Sequence, residues 1–351
     1  MEDIKRLEKC FTHLIPWYEC HARVLPWREN KDPYHVWLSE IMLQQTRVEA
    51  VKGYYKRFLD ALPTVQSLAD AKEDTLLKLW EGLGYYNRVR NMQKAARTIC
   101  EKHQGEFPKS YEDIHALSGI GDYTAGAIGS ICFDLCTPAV DGNVLRVYSR
   151  LFADATNIDM QSTKRMVTQK LAQAYPKEHP GKATQALMEL GATVCVPNGA
   201  PKCEQCPLAG FCEVCKKGSW KDYPVRKEKK ARMIVDKTVF VLRCEDRYAI
   251  CRREDKGLLA SMWQFPNIDE KMTVKKAMKH LEELGIEVRQ PEMQQEYTHI
   301  FSHVEWRMTA YYLSCYNQLE DYAWASREEL EQIYALPSAF RPFMEALGEE
   351  T

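Results

Sequence analysis

Four cysteines stand at Cys195, Cys203, Cys206 and Cys212 in the run CVPNGAPKCEQCPLAGFC, with gaps of seven, two and five residues. Thiolates at that density could hold a tetrahedral zinc ion or an iron–sulfur cluster, and the spacing alone leaves both open. Of the 13 cysteines in the chain, most others are scattered singly, as buried thiols in a reducing compartment are. The cluster therefore reads as a metal site rather than a disulfide set. Cys215, just beyond it, is a substitute ligand.

A second stretch, LSGIGDYTAGAIGS at 117–130, carries Gly119, Gly121, Gly126 and Gly129 in a segment that reads as helix from Tyr123 to Ile131. Each interior glycine costs that helix up to about 1 kcal/mol relative to alanine, so another contact must offset the loss. A helix ending near Leu117, a Gly-x-Gly turn at 119–121 and a helix from Asp122 would present unpaired backbone N–H groups. A phosphate can sit on such a helix N-terminus without any side chain. This is the pattern of a helix-hairpin-helix DNA-binding element, with Gly126 and Gly129 letting its two helices pack closely.

These residues need a scaffold, and the chain supplies two kinds. At 351 residues it exceeds one hydrophobic core. From residue 4 to about 215 the apolar residues recur at helical period, as in Val48, Val51, Tyr55, Phe58 and Leu59, or Val144, Leu145, Tyr148, Leu151 and Phe152. Residues 216–232, KKGSWKDYPVRKEKKAR, are basic and lack an apolar face, which suits a surface linker. Beyond it come β-rich runs, KTVFVLRC and YAICRRE, then a helix through Val274, Met278, Leu281 and Leu284 that stops at Gly285. Two more strands in EYTHIFSHVEWRMTAYYLSCY and a closing helix make this region α+β. Residues 1–232 hold 34 basic against 28 acidic side chains, and the remainder 14 against 21, so the front part is the better candidate for meeting a polyanion. No run approaches the roughly 18 apolar residues of a membrane span. The start MEDIKRLEKC is a charged helix rather than a signal peptide, so a cytoplasmic protein is expected.

PWRENKDPYHVWLSEIMLQQTRVEAV, GIGDYTAGAI, VDGNVLRVYSRL and the cysteine cluster, in that order, resemble the endonuclease III superfamily of DNA repair glycosylases. Within it LSEIMLQQTRVE and WEGLGYYNRVRN are similar to the MutY-type adenine DNA glycosylases. The resemblance implies a multidomain protein with an all-α helix-hairpin-helix glycosylase core over 1–215. That core would divide into a six-helix domain over about 30–136 and an iron–sulfur subdomain formed by about 1–29 with 137–215. The linker at 216–232 would lead to a Nudix-like, MutT-like domain at 233–351. The implied activity is excision of a flipped adenine mispaired with 8-oxoguanine or guanine in double-stranded DNA, by a nucleoid-associated monomer in base excision repair.

Breaking an N-glycosidic bond needs a proton for the departing base and negative charge beside the cationic sugar. Glu40 and Asp141 are the carboxylates that the resemblance matches to those tasks. Asp141 also reads as a helix N-cap, and the two roles are compatible. Tyr123 stands where strand-cutting relatives carry a lysine that forms a Schiff base; a phenol cannot, so a monofunctional enzyme is implied. Gln45 and Tyr85 would enter the base stack, and Gln185 would read the adenine edge. Arg88 and Arg90 are either phosphate contacts or ordinary helix charges, while Gly119 and Gly121 would carry the phosphate contact of the hairpin. The family favours a [4Fe-4S] cluster on the four cysteines, although its usual first gap is six residues.

In the second region AMKHLEELG keeps Glu282 and Glu283 but has Met278 and Lys279 where a Nudix hydrolase needs Arg-Glu, so hydrolysis of nucleotides is not expected. Phe301, Ser302 and His303 match a loop that recognises 8-oxoguanine. The competing readings are a mismatch-thymine or oxidised-pyrimidine glycosylase of the same superfamily and a non-catalytic iron–sulfur DNA-binding protein. The first leaves the second domain without a purpose, and the second leaves the two carboxylates without one.

Overall fold

The computed structural model describes residues 1–228 and 231–348; Lys229 and Lys230 of the basic segment lie outside the described residues. The chain forms two compact units, Met1–Asp70 with Asn91–Glu228, and Ala71–Arg90 with the residues that follow Glu228. This division differs from boundaries at 215 and 233 in two places, each for a local reason. Residues 216–228 are tied to the first unit: Arg150 Nε donates to Tyr223 O at 3.0 Å and Ile158 N–H to Val225 O at 3.0 Å. Residues 71–90 belong to the second, where Glu81 accepts Leu336 N–H at 3.0 Å and Arg90 Nη2 donates to Ala260 O at 2.8 Å.

The first unit is all helical. Its helices are α1 (Glu2–His21), α2 (Pro33–Leu43), α3 (Val48–Ala61) and α4 (Val65–Asp70). After α5 (Glu73–Leu79), which lies in the second unit, come α6 (Asn87–His103), α7 (Tyr111–His115), α8 (Asp122–Phe133) and α9 (Gly142–Phe152). The series closes with α10 (Gln161–Ala174), α11 (Pro180–Thr193) and α12 (Glu213–Lys217). Leu7, Phe11 and Leu14 of α1 pack against Val144, Tyr148, Leu171 and Leu187 from α9, α10 and α11 in one core. Helix α2 is buried nearly all round, including its Ser39 and Glu40. It starts cleanly because Asp32 accepts Tyr34 N–H at 2.8 Å and Pro33 has no N–H in need of an acceptor.

Helix α8 begins directly after the Gly-x-Gly turn. Gly119 sits at φ +76°, and a Cβ there would also lie 2.6 Å from Asn91 Cβ. Gly126 is required for a different reason: a Cβ would lie 2.5 Å from the carbonyl oxygen of Pro138. The close approach that Gly126 and Gly129 permit is therefore to the 135–139 segment, which lies between α8 and α9, rather than to the preceding helix of the hairpin. That segment leads directly to Asp141, so the glycines set the distance between α8 and the start of α9.

Among the described residues of the second unit seven strands form one sheet: β1 (Met233–Cys244), β2 (Arg247–Arg252), β3 (Trp263–Gln264), β4 (Asn267–Ile268), β5 (Met293–Ile300), β6 (Val304–Ser314) and β7 (Ala323–Ser326). The main order is β3-β2-β1-β6-β5, with β4 on β1 and β7 on β2. The sequence KTVFVLRC is apolar without alternation because both faces are covered. Val239 and Val241 face a core with Phe340 and Phe343, while Phe240 and Leu242 face Leu281 and Ala277 of α13 (Val274–Glu283). Helix α13 ends as expected, with Gly285 at φ +77°. The short strands β3, β4 and β7 have too few residues to display a period. Phe301–His303 form the tip of the β5–β6 hairpin, beside the start of β1, where Met233 N–H donates to His303 O at 3.1 Å. No helix among the described residues is long and apolar enough to cross a membrane.

The glycine geometry gives a direct comparison. Gly126→Ala should lower unfolding free energy by about 1–3 kcal/mol, because the methyl meets backbone that cannot move aside. Gly121→Ala, whose Cβ would face open space, should stay within about 0.5 kcal/mol of the parent in urea melts.

Candidate active site

Helices α2, α8, α9 and α11 surround a cavity of about 720 Å³ in the first unit, and Glu40, Gln45, Tyr123, Asp141 and Gln185 all line it. Trp27, Val36, Ile131, Val140 and Met188 give it apolar walls. Glu40, on the fully packed helix α2, pays for that position in solvation: burial is the main influence and pushes its carboxyl up to about 7, with the nearby Asp141 adding to the rise. The Tyr123 hydroxyl donates to Glu40 Oε2 at 2.5 Å and works in the opposite sense, favouring the carboxylate. Tyr123 thus contacts Glu40 and shares its cavity with Asp141. Burial and the two carboxylates push its own phenol well above the ordinary range, so it remains a donor.

Asp141 is both N-cap and cavity wall. Its Oδ1 accepts Val144 N–H at 2.8 Å and its Oδ2 accepts Asn143 Nδ2–H at 2.7 Å. Burial raises its pKa and these bonds oppose the rise. Glu40 accepts one hydroxyl, while Asp141 accepts two N–H groups at the positive end of a helix. The pair therefore divides unequally, with the negative charge on Asp141 and the proton on Glu40. Asn143 is itself fixed by Arg146, whose Nη2 donates to Asn143 Oδ1 and to Gly191 O, each at 2.8 Å, and whose Nε donates to Cys195 O at 2.8 Å.

The remaining sequence-derived residues are distributed over both units. Gln185 Oε1 accepts the Tyr18 hydroxyl at 2.9 Å on the cavity wall. Gln45, at φ +62° just past α2, is exposed at the cavity margin. Tyr85 lies in the second unit at φ +48°, half exposed, with its hydroxyl against Ser302 of the hairpin tip. Phe301 packs edge-on to the buried Trp306 at 4.8 Å, while Ser302 and His303 are exposed. Arg88 turns inward: Nη2 donates to Leu83 O at 3.0 Å and Gly84 O at 3.1 Å, bracing the turn that carries Tyr85. Burial lowers its pKa to about 10. Arg90 pairs with Glu73 at 2.8 Å. Gly121 caps α8 with no side-chain bond to its first N–H groups.

Cys195, Cys203, Cys206, Cys212 and Cys215 line one small cavity with Arg150. Arg150 Nη1 donates to Cys195 Sγ at 3.3 Å, and Cys212 Sγ donates to Arg150 O at 3.3 Å. Burial, and then mutual repulsion of their charged forms, raises the thiols of Cys203 to about 11 and Cys206 to about 12. Cations are what would hold this many sulfurs as thiolates. Among the described residues no three His, Cys, Asp or Glu side chains close to the spacing that grips a single ion.

A family model described as "HhH-GPD superfamily base excision DNA repair protein" matches residues 38–177, and one described as "NUDIX domain" matches 238–346. The chain is 35% identical over 295 residues to the adenine DNA glycosylase of Buchnera aphidicola subsp. Schizaphis graminum, covering 84% of each chain. It is 43% identical over 212 residues to that of Homo sapiens, covering 57% of this chain and 38% of the human one. The chain belongs to the adenine DNA glycosylase family. A solved thermostable thymine-DNA glycosylase aligns with a TM-score of 0.54 at 25% identity over 61% of this chain and 98% of that one. Endonuclease III in a non-covalent DNA complex, at 23% identity and a TM-score of 0.51 over 60% of this chain and 97% of that one, shares the fold.

This adenine glycosylase has wall residues that the sequence reading missed. Glu189 is fully buried beside the cavity, held by Arg23 at 2.6 Å and Arg28 at 2.8 Å. Burial pushes its carboxyl up, but the two guanidinium groups outweigh that and hold it below the ordinary range. An acidic residue on the buried face of ATQALMELGAT, four residues after Gln185, was the available signal. Asn143 and Arg146 carried no comparable mark, since their roles arise from contacts 45 and 49 residues away in sequence or from the cap itself.

Glu40 gives a stability prediction whose sign can be worked out. A carboxyl with pKa near 4.5 unfolded and about 7 folded binds its proton more tightly when folded, so stability falls as pH rises between those values. The loss above pH 7 is on the order of 3 kcal/mol. Glu40→Gln should therefore unfold at higher urea than the parent at pH 8, and the gap should narrow by pH 5. Tyr123→Phe removes the bond that favours the carboxylate, so the alkaline limb of its pH–rate profile should move to higher pH.

Proposed function

We propose that this enzyme excises adenine opposite 8-oxoguanine or guanine and leaves an intact strand with an abasic site. The arrangement that carries the reading is the unequal pair of Glu40 and Asp141 inside a cavity that holds no lysine at the position of Tyr123. With the Tyr123 bond on Oε2, the proton of Glu40 rides on Oε1 and passes to a ring nitrogen of the flipped adenine. The glycosidic bond then breaks with its electrons leaving on the base. The Asp141 carboxylate faces the resulting sugar cation, and water adds to complete hydrolysis.

Gln185, together with Arg23 and Arg28, which Glu189 holds in place, supplies polar groups for the base edge on an otherwise apolar wall. Gln45 and Tyr85 occupy left-handed backbone positions that turn exposed side chains out of helix ends, which suits entry into a base stack. Ser302 and His303, exposed on the hairpin tip that Phe301 anchors, are placed to hydrogen-bond an oxidised purine. Cys195, Cys203, Cys206 and Cys212, gathered on one small cavity, would hold the [4Fe-4S] cluster that the family resemblance favours. Bound there, the cluster would lock the loop that contributes Cys195 O to Arg146.

The test is base release from duplexes holding A opposite 8-oxoguanine, A opposite G and T opposite G, with and without alkali. Adenine release from the first two, with strand breakage only after alkali and little borohydride trapping, is expected; release of thymine or efficient trapping would overturn the reading.

A further inference from the structure

The cysteine cavity holds five sulfurs, one more than a four-iron cluster has corners. Cys195, Cys206 and Cys212 are packed against the main hydrophobic core of the first unit, and two of them are tied to Arg150 besides. Cys203 and Cys215 lie off that core but line the same cavity. The residues before Cys203, Val196–Lys202, form a loop with two prolines and a glycine at φ +76° and contain no helix or strand, giving that ligand slack. Cys215 rides on the five-residue helix α12, one turn past Cys212.

We propose that Cys203 and Cys215 are interchangeable ligands for one corner of the cluster, while Cys195, Cys206 and Cys212 hold the other three. The inference rests on the reading that this site carries an iron–sulfur cluster. The exchange balances without an outside reagent. The bond from iron to Cys203 sulfur breaks as the bond to Cys215 sulfur forms, and the freed Cys203 thiolate takes up the proton that the Cys215 thiol releases inside the cavity both line. No electron is transferred. A site built this way keeps its cluster when one thiol is alkylated or oxidised, because the neighbouring sulfur takes over the same iron.

Iron and acid-labile sulfide per chain, with the visible absorbance of the cluster, should be measured on anaerobically purified full-length protein. Cys203→Ala and Cys215→Ala should each keep the parent content. Cys203→Ala/Cys215→Ala should lose most of it, as should Cys206→Ala. Because a cysteine variant can fail to fold, the parent protein supplies a second readout: limited N-ethylmaleimide treatment followed by peptide mass spectrometry. Label divided between Cys203 and Cys215, with the cluster retained, is the expected result. Loss of the cluster from Cys203→Ala alone or Cys215→Ala alone, or label confined to one of the two sulfurs, would overturn the exchange while leaving the cluster reading intact. A parent protein without iron would overturn both.

Discussion

A carboxyl group kept out of water on helix α2 is the constraint around which the first unit is arranged. Glu40 holds a proton near neutral pH because α2 is packed on nearly every side, and that packing needs α3 and α8 close against it. The same burial makes the residue a liability for stability, and a partner that favoured full ionisation, such as an arginine in direct contact, would remove its proton. Tyr123 is a weaker partner. Its single hydroxyl bond orients the carboxyl and moderates its pKa without supplying a counter-charge.

The second carboxylate needs the reverse treatment, and the backbone supplies most of it. Asp141 stays the better anion because it caps α9 and receives Asn143, which Arg146 in turn fixes to the backbone of α11 and to Cys195. Glycine at 126 lets α8 approach the strand of chain leading into that cap. The two groups share a cavity, yet their opposite tasks follow from what each accepts: one O–H in an apolar wall, against two N–H donors at a helix terminus.

In the second unit the sheet is buried on both faces, which leaves its hairpin tips and strand edges as the places where function can be carried. The tip at Phe301–His303 is held by the Phe301 ring against Trp306 and by backbone bonds to the start of β1, so two polar side chains are exposed on a rigid support. Residues 71–90 fold with this unit, and Arg88 braces the turn that brings Tyr85 to Ser302.

The amino-acid sequence alone determined the helical first region, the α+β second one, the glycine turn and the cysteine cluster, while Glu40, Asp141 and Tyr123 were pointed to by the resemblance of their motifs to the glycosylase superfamily. These are local or motif-borne properties: hydrophobic period, glycine content and ligand spacing are readable within a few residues. Only the tertiary structure decided that Tyr123 bonds Glu40, that Arg88 serves a turn, that Glu189 is buried between two arginines, and that residues 71–90 join the C-terminal unit. Each of these depends on which side chains far apart in sequence meet in a dry interior. The energy of such a meeting is set by desolvation and by distance between partners, neither of which a single residue's identity records.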